Sequence, residues 1–266
     1  MDLGLKGQTV LVTGSWRGTG AGIAEYMARE GARVLVHGLL PDQNEAVLER
    51  LKADGLDVLG VTGDITEDSG ADQLVADCLA QGARVDVLVN NYGVAEAGDW
   101  TSTPTSDWIV SYQKNVLSGV RLVHGFVPGM KERGSGRVVF LGTVGSLRPN
   151  SRMPNYYSSK AVLPNLCLSL AKELRGSGVT VNVVSPGIIA TEEVKGMLKK
   201  RARKQGWGDD EAAIARAGAE LFDSPTGRIA EIHEVAAVVA FVASSQASYI
   251  NGTNIRVDGG AADCAI

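Results

Sequence analysis

Short aliphatic runs recur along the chain, each followed by a longer stretch whose apolar residues fall at helical spacing. The runs are Thr9–Thr13, Arg33–His37, Val58–Val61, Val85–Val89, Arg137–Leu141 and Val179–Val184. A near-continuous Val/Leu run is what a strand covered on both faces requires. Strands alternating with helices call for right-handed crossovers and a parallel sheet. A seventh run, Asn254–Val257, follows a helical stretch near Ile232–Ser244. No repeat, low-complexity segment or linker divides the chain. The 266 residues therefore read as one α/β domain on a doubly wound parallel sheet of about seven strands.

Charge and cysteine usage narrow the function classes. Lysine and arginine total 26 against 30 acidic residues, a formal charge of −4. That balance gives no general attraction to nucleic acid or an anionic membrane. Cys78, Cys167 and Cys264 form no CxxC pair and read as inert thiols in a reducing compartment. No uncharged apolar run reaches the roughly 18 residues of a membrane span, and the first residues have no apolar signal core. A cytoplasmic location is expected. His37, His124 and His233 are scattered, so no metal site is expected.

One stretch breaks the rhythm. Residues 188–228 are long, helical in pattern and rich in charge. An insertion after the sixth strand lies at the carboxyl edge of the sheet, where ligands bind in such folds. It reads as a substrate-covering segment.

The first strand runs into Gly14-Ser15-Trp16-Arg17-Gly18-Thr19-Gly20 and then a helix. Glycines at a strand-to-helix turn let a backbone approach a pyrophosphate closely. The helix N-terminus adds free N–H groups and a partial positive charge. Further along, Tyr156-Tyr157-Ser158-Ser159-Lys160 sets a tyrosine and a lysine four apart, on one helix face. An ammonium about 4 Å from a phenol stabilises phenolate by roughly 4 kcal/mol at an effective dielectric near 20. That is about 3 pKa units below the usual ~10, which predicts a working acid/base. Tyr157, three residues from Lys160, competes on spacing alone.

These motifs resemble the short-chain dehydrogenase/reductase family, with its TGxxxGxG loop (Thr13 to Gly20), its NNxG motif (Asn90-Asn91-Tyr92-Gly93) and its YxxxK pair. The resemblance spans about residues 5 to 260 and implies a Rossmann-type fold. It selects Tyr156 over Tyr157 as the catalytic acid/base. It implies that Thr143 stands where the family has a serine bonding the substrate oxygen, with Ser146 as the runner-up. It implies that Asn115 helps hold a water relay to Lys160, and that Lys160 and Tyr156 both meet the nicotinamide ribose region. For the cofactor it points to Gly14, Ser15, Arg17, Gly18, Thr19, Gly20, Asp64, Ile65, Asn91 and Gly93, and to Pro186, Gly187, Ile188 and Thr191 in the run resembling NxxxPGxxxT. Thr19 and Tyr92 depart from the usual isoleucine and alanine. A homotetramer is implied as well.

The cofactor would be NADP(H) or NAD(H). The second strand is followed by Leu35-Val36-His37-Gly38-Leu39-Leu40, with no acid to grip ribose hydroxyls. Arg17 suits a 2′-phosphate, with His37 assisting, although Leu39 stands where many NADP-dependent relatives carry arginine. NADP(H) is favoured and NAD(H) stays open. The reaction read from these residues is hydride transfer between that cofactor and a small-molecule ketone or secondary alcohol. Val94, Ala95, Leu147, Met153 and Ile188 would line the pocket. Lys195, Lys199, Lys200, Arg201, Arg203 and Lys204 raise an alternative, a 3-oxoacyl reductase drawing in an acidic carrier-bound substrate. A second alternative is a cofactor-binding regulator with little catalysis.

Overall fold

The computed structural model describes residues 2–262. Seven parallel strands form one sheet: β1 (Thr9–Val12), β2 (Arg33–Gly38), β3 (Val58–Thr62), β4 (Val87–Asn90), β5 (Gly136–Leu141), β6 (Val179–Pro186) and β7 (Asn254–Val257). Their order is β3-β2-β1-β4-β5-β6-β7. The order reverses between β1 and β4, and in such sheets the ligand crevice opens at the reversal, beyond the carboxyl ends of the strands.

Alternation along the strands feeds two apolar layers. Val10, Val12, Val34, Val36, Val87 and Val89 pack with helices α1 (Gly18–Arg29), α2 (Glu45–Ala53) and α9 (Ile232–Val242). Leu11, Leu35, Leu88, Val138, Phe140, Val181 and Val183 pack with α3 (Asp68–Ala80), α5 (Ser118–Arg133) and α6 (Pro154–Glu173). Both faces are covered, which is why the strands read as unbroken aliphatic runs. Where α1 and α9 cross, only glycine fits. A Cβ on Gly22 would lie 2.1 Å from the Ile232 side chain.

The fourth strand begins two residues later than the aliphatic run predicts. The Asp86 carboxylate accepts a hydrogen bond from the Thr9 backbone N–H and so takes part in the β1 edge with its side chain. α4 (Thr105–Tyr112) passes into α5 through a π-turn at Gln113–Leu117. The charged stretch folds as two helices, α7 (Glu192–Lys204) and α8 (Glu211–Leu221). Leu198, Ala202, Ala213 and Ala217 form a small apolar cluster of their own between them. A bridge from Ile189 to Ala230 closes the base of this stretch.

Cys78 and Cys167 are both buried, and burial pushes each thiol up to about 12, so neither is reactive. Cys264 lies outside the described residues. Among the described residues no helix is long and apolar enough to cross a membrane.

Candidate active site

The β1–α1 turn is held from behind by a dense set of hydrogen bonds. Gly14 N–H donates to Nδ1 of His37 at 3.0 Å, and Nε2 of His37 faces the Gly63 carbonyl at 2.9 Å. His37 is fully buried, and desolvation pushes its pKa down to about 4. The ring is therefore neutral, accepting at Nδ1 and donating at Nε2. This corrects the expectation that His37 assists a phosphate: both nitrogens are spent tying the turn to the loop after β3. Ser15 is also buried. Its hydroxyl donates to Val12 O and accepts from His37 N, so its side chain builds the turn rather than facing a ligand. The Asn91 amide donates to Thr13 O at 2.8 Å and is likewise committed to the loop.

What remains open at the turn suits an anion. α1 starts with no side-chain cap and no acid in its first turn, which leaves its first N–H groups free. Gly14 and Gly18 have positive φ, +63° and +54°. Gly20 packs so tightly that a Cβ there would sit 2.4 Å from both Asn91 Nδ2 and the Gly14 carbonyl. Thr19 is half-buried beside them. Helix terminus, glycine cradle and crevice thus fit a pyrophosphate. Arg17 is exposed and donates to Glu193 at 2.7 Å, in the first turn of α7. Thr191 caps that helix, accepting from Val194 N–H, and its methyl group faces Gly18. Asp64 uses Oδ1 to accept from the Thr66 backbone and hydroxyl, and Ile65 is buried beneath it.

Across the crevice, α6 carries Tyr156 and Lys160. Its entry is unusual: Met153 adopts φ +72°, a left-handed conformation costly for a side-chain-bearing residue, just before Pro154. Lys160 is buried and donates from Nζ to the Leu141 carbonyl at 2.7 Å. Burial pushes its pKa down to about 8. A Cβ on Gly93 would sit 2.9 Å from Lys160 Nζ and 2.7 Å from Asn115 Oδ1, so glycine is required where the three meet. Asn115 lies in the π-turn and pairs twice with Val94, accepting from its N–H and donating to its carbonyl. Such turns recur at functional sites because they redirect one side chain inward.

The Thr143 side chain faces the Tyr156 phenol and hydrogen-bonds with it, while its Oγ1 also accepts from Gly145 N–H. Ser146 instead donates to the Thr143 carbonyl. Tyr157 points elsewhere, accepting from Asn150. One expectation fails here. Lys160 does not bring the pKa of the phenol down. Burial dominates and pushes Tyr156 up to about 12, with only the Thr143 bond acting to lower it. Spacing on a helix shows which groups share a face, but it does not show how deeply they lie.

After β6, the Ile188 carbonyl accepts from Ala230 N–H, which ties it to the segment before α9. Gly187 packs against Asp258 and donates to Val257 O beside Pro186. Two contributors were not singled out in the sequence. Glu193, the partner of Arg17, is signalled only as an acid in a first helical turn. The Leu141 carbonyl, a main-chain acceptor, carries no sequence signal at all.

A family model described as enoyl-(acyl carrier protein) reductase matches residues 14–262. The 3-oxoacyl-[acyl-carrier-protein] reductase of Escherichia coli (strain K12) is 32% identical, across 97% of this chain and 98% of its own. The L-sorbose reductase of Gluconobacter frateurii, solved with NADPH and L-sorbose, is 29% identical with a TM-score of 0.91, covering 99% of this chain and all of that one. A 3-oxoacyl reductase of Agrobacterium tumefaciens C58 with NADP bound is 33% identical with a TM-score of 0.85, covering 97% and 96%. With the glycine turn, the Tyr156–Lys160 helix and Thr143 assembled around one crevice, the chain belongs to the short-chain dehydrogenase/reductase family of oxidoreductases.

Proposed function

We propose that the protein reduces the ketone of a small polyhydroxylated substrate with NADPH. The observation carrying this reading is a neutral, half-buried phenol at Tyr156 that shares a hydrogen bond with Thr143. Held up to about 12, that phenol is protonated at neutral pH and so carries the proton that the reduction needs. Bound nicotinamide supplies the hydride. Tyr156 gives its proton to the carbonyl oxygen as negative charge develops there. Thr143 bonds the same oxygen and orients it. Lys160, fixed by Leu141 and Asn115's loop, holds the ribose side and passes protons to Tyr156. Gly14, Gly18, Thr19 and Gly20 cradle the pyrophosphate on the α1 terminus, Asp64 and Ile65 take the adenine side, and Pro186, Gly187, Ile188 and Thr191 take the nicotinamide side.

Arg17 serves a 2′-phosphate by exchanging Glu193 for it. Both partners are more than half exposed, so their pair is cheap to open. Arg17→Ala is expected to raise KM for NADPH about tenfold and to leave KM for NADH nearly unchanged. Equal losses for the two cofactors would reject this role.

The substrate class rests on the likeness to L-sorbose reductase and on the lid, residues 188–228, which covers the crevice in this reading. Four of its six clustered cations meet acids within the lid: Lys199 and Arg203 pair with Asp209, Arg201 with Glu220, and Lys195 with Glu192. Over residues 188–228 eight lysines and arginines stand against seven acids, a net charge of +1 that gives little pull on an acidic carrier. A 3-oxoacyl reductase stays as the second reading, favoured by the 32% identical relative. Absorbance of NADPH followed over ketoses, keto-acids of sugars and acetoacetyl thioesters separates the two. Higher kcat/KM on the thioesters would overturn the first. A cytoplasmic homotetramer accompanies either reading. The exposed Ile109 and Tyr112 on α4 supply an apolar face for a subunit contact, which sedimentation would test.

A further inference from the structure

Tyr92 departs from the family alanine, and in the fold it meets Trp16 of the glycine turn. The ring centroids are 6.1 Å apart and the planes inclined by 36°. Tyr92 also lies flat against the turn itself, since a Cβ on Gly14 would stand 3.2 Å from its Cα, Cβ and Cδ2. Its backbone N–H donates to the Thr13 hydroxyl at 2.9 Å, which fixes it to the end of β1.

The pair sits on a particular half of the crevice. Gly93 faces Lys160 and Asn115, the reacting half. The residue before it leans the other way: the Tyr92 ring packs on the apolar layer that contains Ile65. Its phenol is pushed up to about 12 by burial first, and then by the charges of Asp64 and Glu96. Trp16, in the β1–α1 turn, is half-buried and keeps part of its indole open. The dinucleotide places its adenosine over β2 and its nicotinamide on the far side of the switch point. Ser15, next to Trp16, donates its backbone N–H to the His37 carbonyl of β2, so the half-open indole stands near that first position and offers a π-face, and base-on-aromatic stacking is favourable for any base.

We propose that Trp16 forms a stacking shelf for the adenine of the cofactor, and that Tyr92 is the positioning residue that holds the indole in place. This rests on the reading of the crevice as a dinucleotide site. Trp16 then contributes adenosine affinity that the missing acid and arginine after β2 do not supply.

The test uses adenosine 2′,5′-bisphosphate and nicotinamide mononucleotide as separate probes of the two halves, with binding measured by calorimetry. Trp16→Ala and Tyr92→Ala are each expected to weaken the bisphosphate about tenfold and to leave the mononucleotide unchanged. Tyr92→Phe keeps parental affinity, because the ring and not the hydroxyl supports the indole. The double alanine variant is no weaker than the worse single one, as expected for two residues acting as one unit. The bisphosphate quenches tryptophan emission in the parent, and Trp16→Phe, which preserves an aromatic filler, removes that quench while Trp100, Trp108 and Trp207 remain. A quench that survives in Trp16→Phe, or parental bisphosphate affinity in Trp16→Ala, overturns the shelf. A parent chain that binds neither NADPH nor the bisphosphate overturns the dinucleotide reading beneath it, which is a different result.

Discussion

The Tyr156→Phe variant is expected to lose turnover by about 10²–10⁴-fold while binding NADPH within about twofold of the parent. The change deletes one oxygen from a ring that stays packed in its half-buried place on α6. The oxygen lost is the one in hydrogen-bond contact with Thr143, where the proposed mechanism puts the substrate oxygen. Nothing in the glycine turn depends on it: that turn is held by His37, Ser15 and Asn91. Kinetics with saturating cofactor and an equilibrium titration of NADPH check the two halves of the prediction. A variant that retains a tenth or more of parental kcat would remove Tyr156 from the proton transfer.

The second large effect is on stability. His37 has a pKa of about 4 in the folded chain and an ordinary value of 6.5 when exposed. Between these values the unfolded chain binds the proton and the folded chain does not. Stability is therefore full above pH 6.5 and falls as the pH drops toward 4. A shift of this size corresponds to about 3 kcal/mol, and the ring is fully buried, so solvent does not screen it. His37→Asn keeps an acceptor for Gly14 N–H and does not titrate. Urea unfolding at pH 7.5 and pH 4.5 is expected to show a smaller loss in the variant than in the parent. Parallel losses would mean that His37 is not the titrating group.

The sheet was legible in the sequence because both of its faces are buried. Each aliphatic run could be placed without knowing its neighbours, and the boundaries moved by only a residue or two. Tyr156 and Lys160 could be set side by side because they stand four apart on one helix, whereas Thr143 and Asn115 were picked out by the family resemblance alone. The failures share a cause. His37 looked free until β1 and β3 were brought together, since its two partners come from different loops. Arg17 finds Glu193 across 176 residues of chain. The basic lid cluster looked like a lure for acids until Asp209 and Glu220 folded back onto it. The phenol of Tyr156 was assigned a lowered pKa because the spacing of Tyr156 and Lys160 gives no measure of how deeply the two are buried.

The small apolar cluster of Leu198, Ala202, Ala213 and Ala217 stands apart from the two layers that grip the sheet. Side chains there can be exchanged for larger or smaller ones without loosening the sheet on which α6 and Thr143 are set. With α7 and α8 covering the crevice, as proposed above, a lineage with this architecture would change which ketone it accepts by altering these two helices while its hydride chemistry stays intact. Diversification of substrate range should therefore gather in residues 192–221, and libraries built there should yield folded, cofactor-competent variants more often than libraries built on the strands.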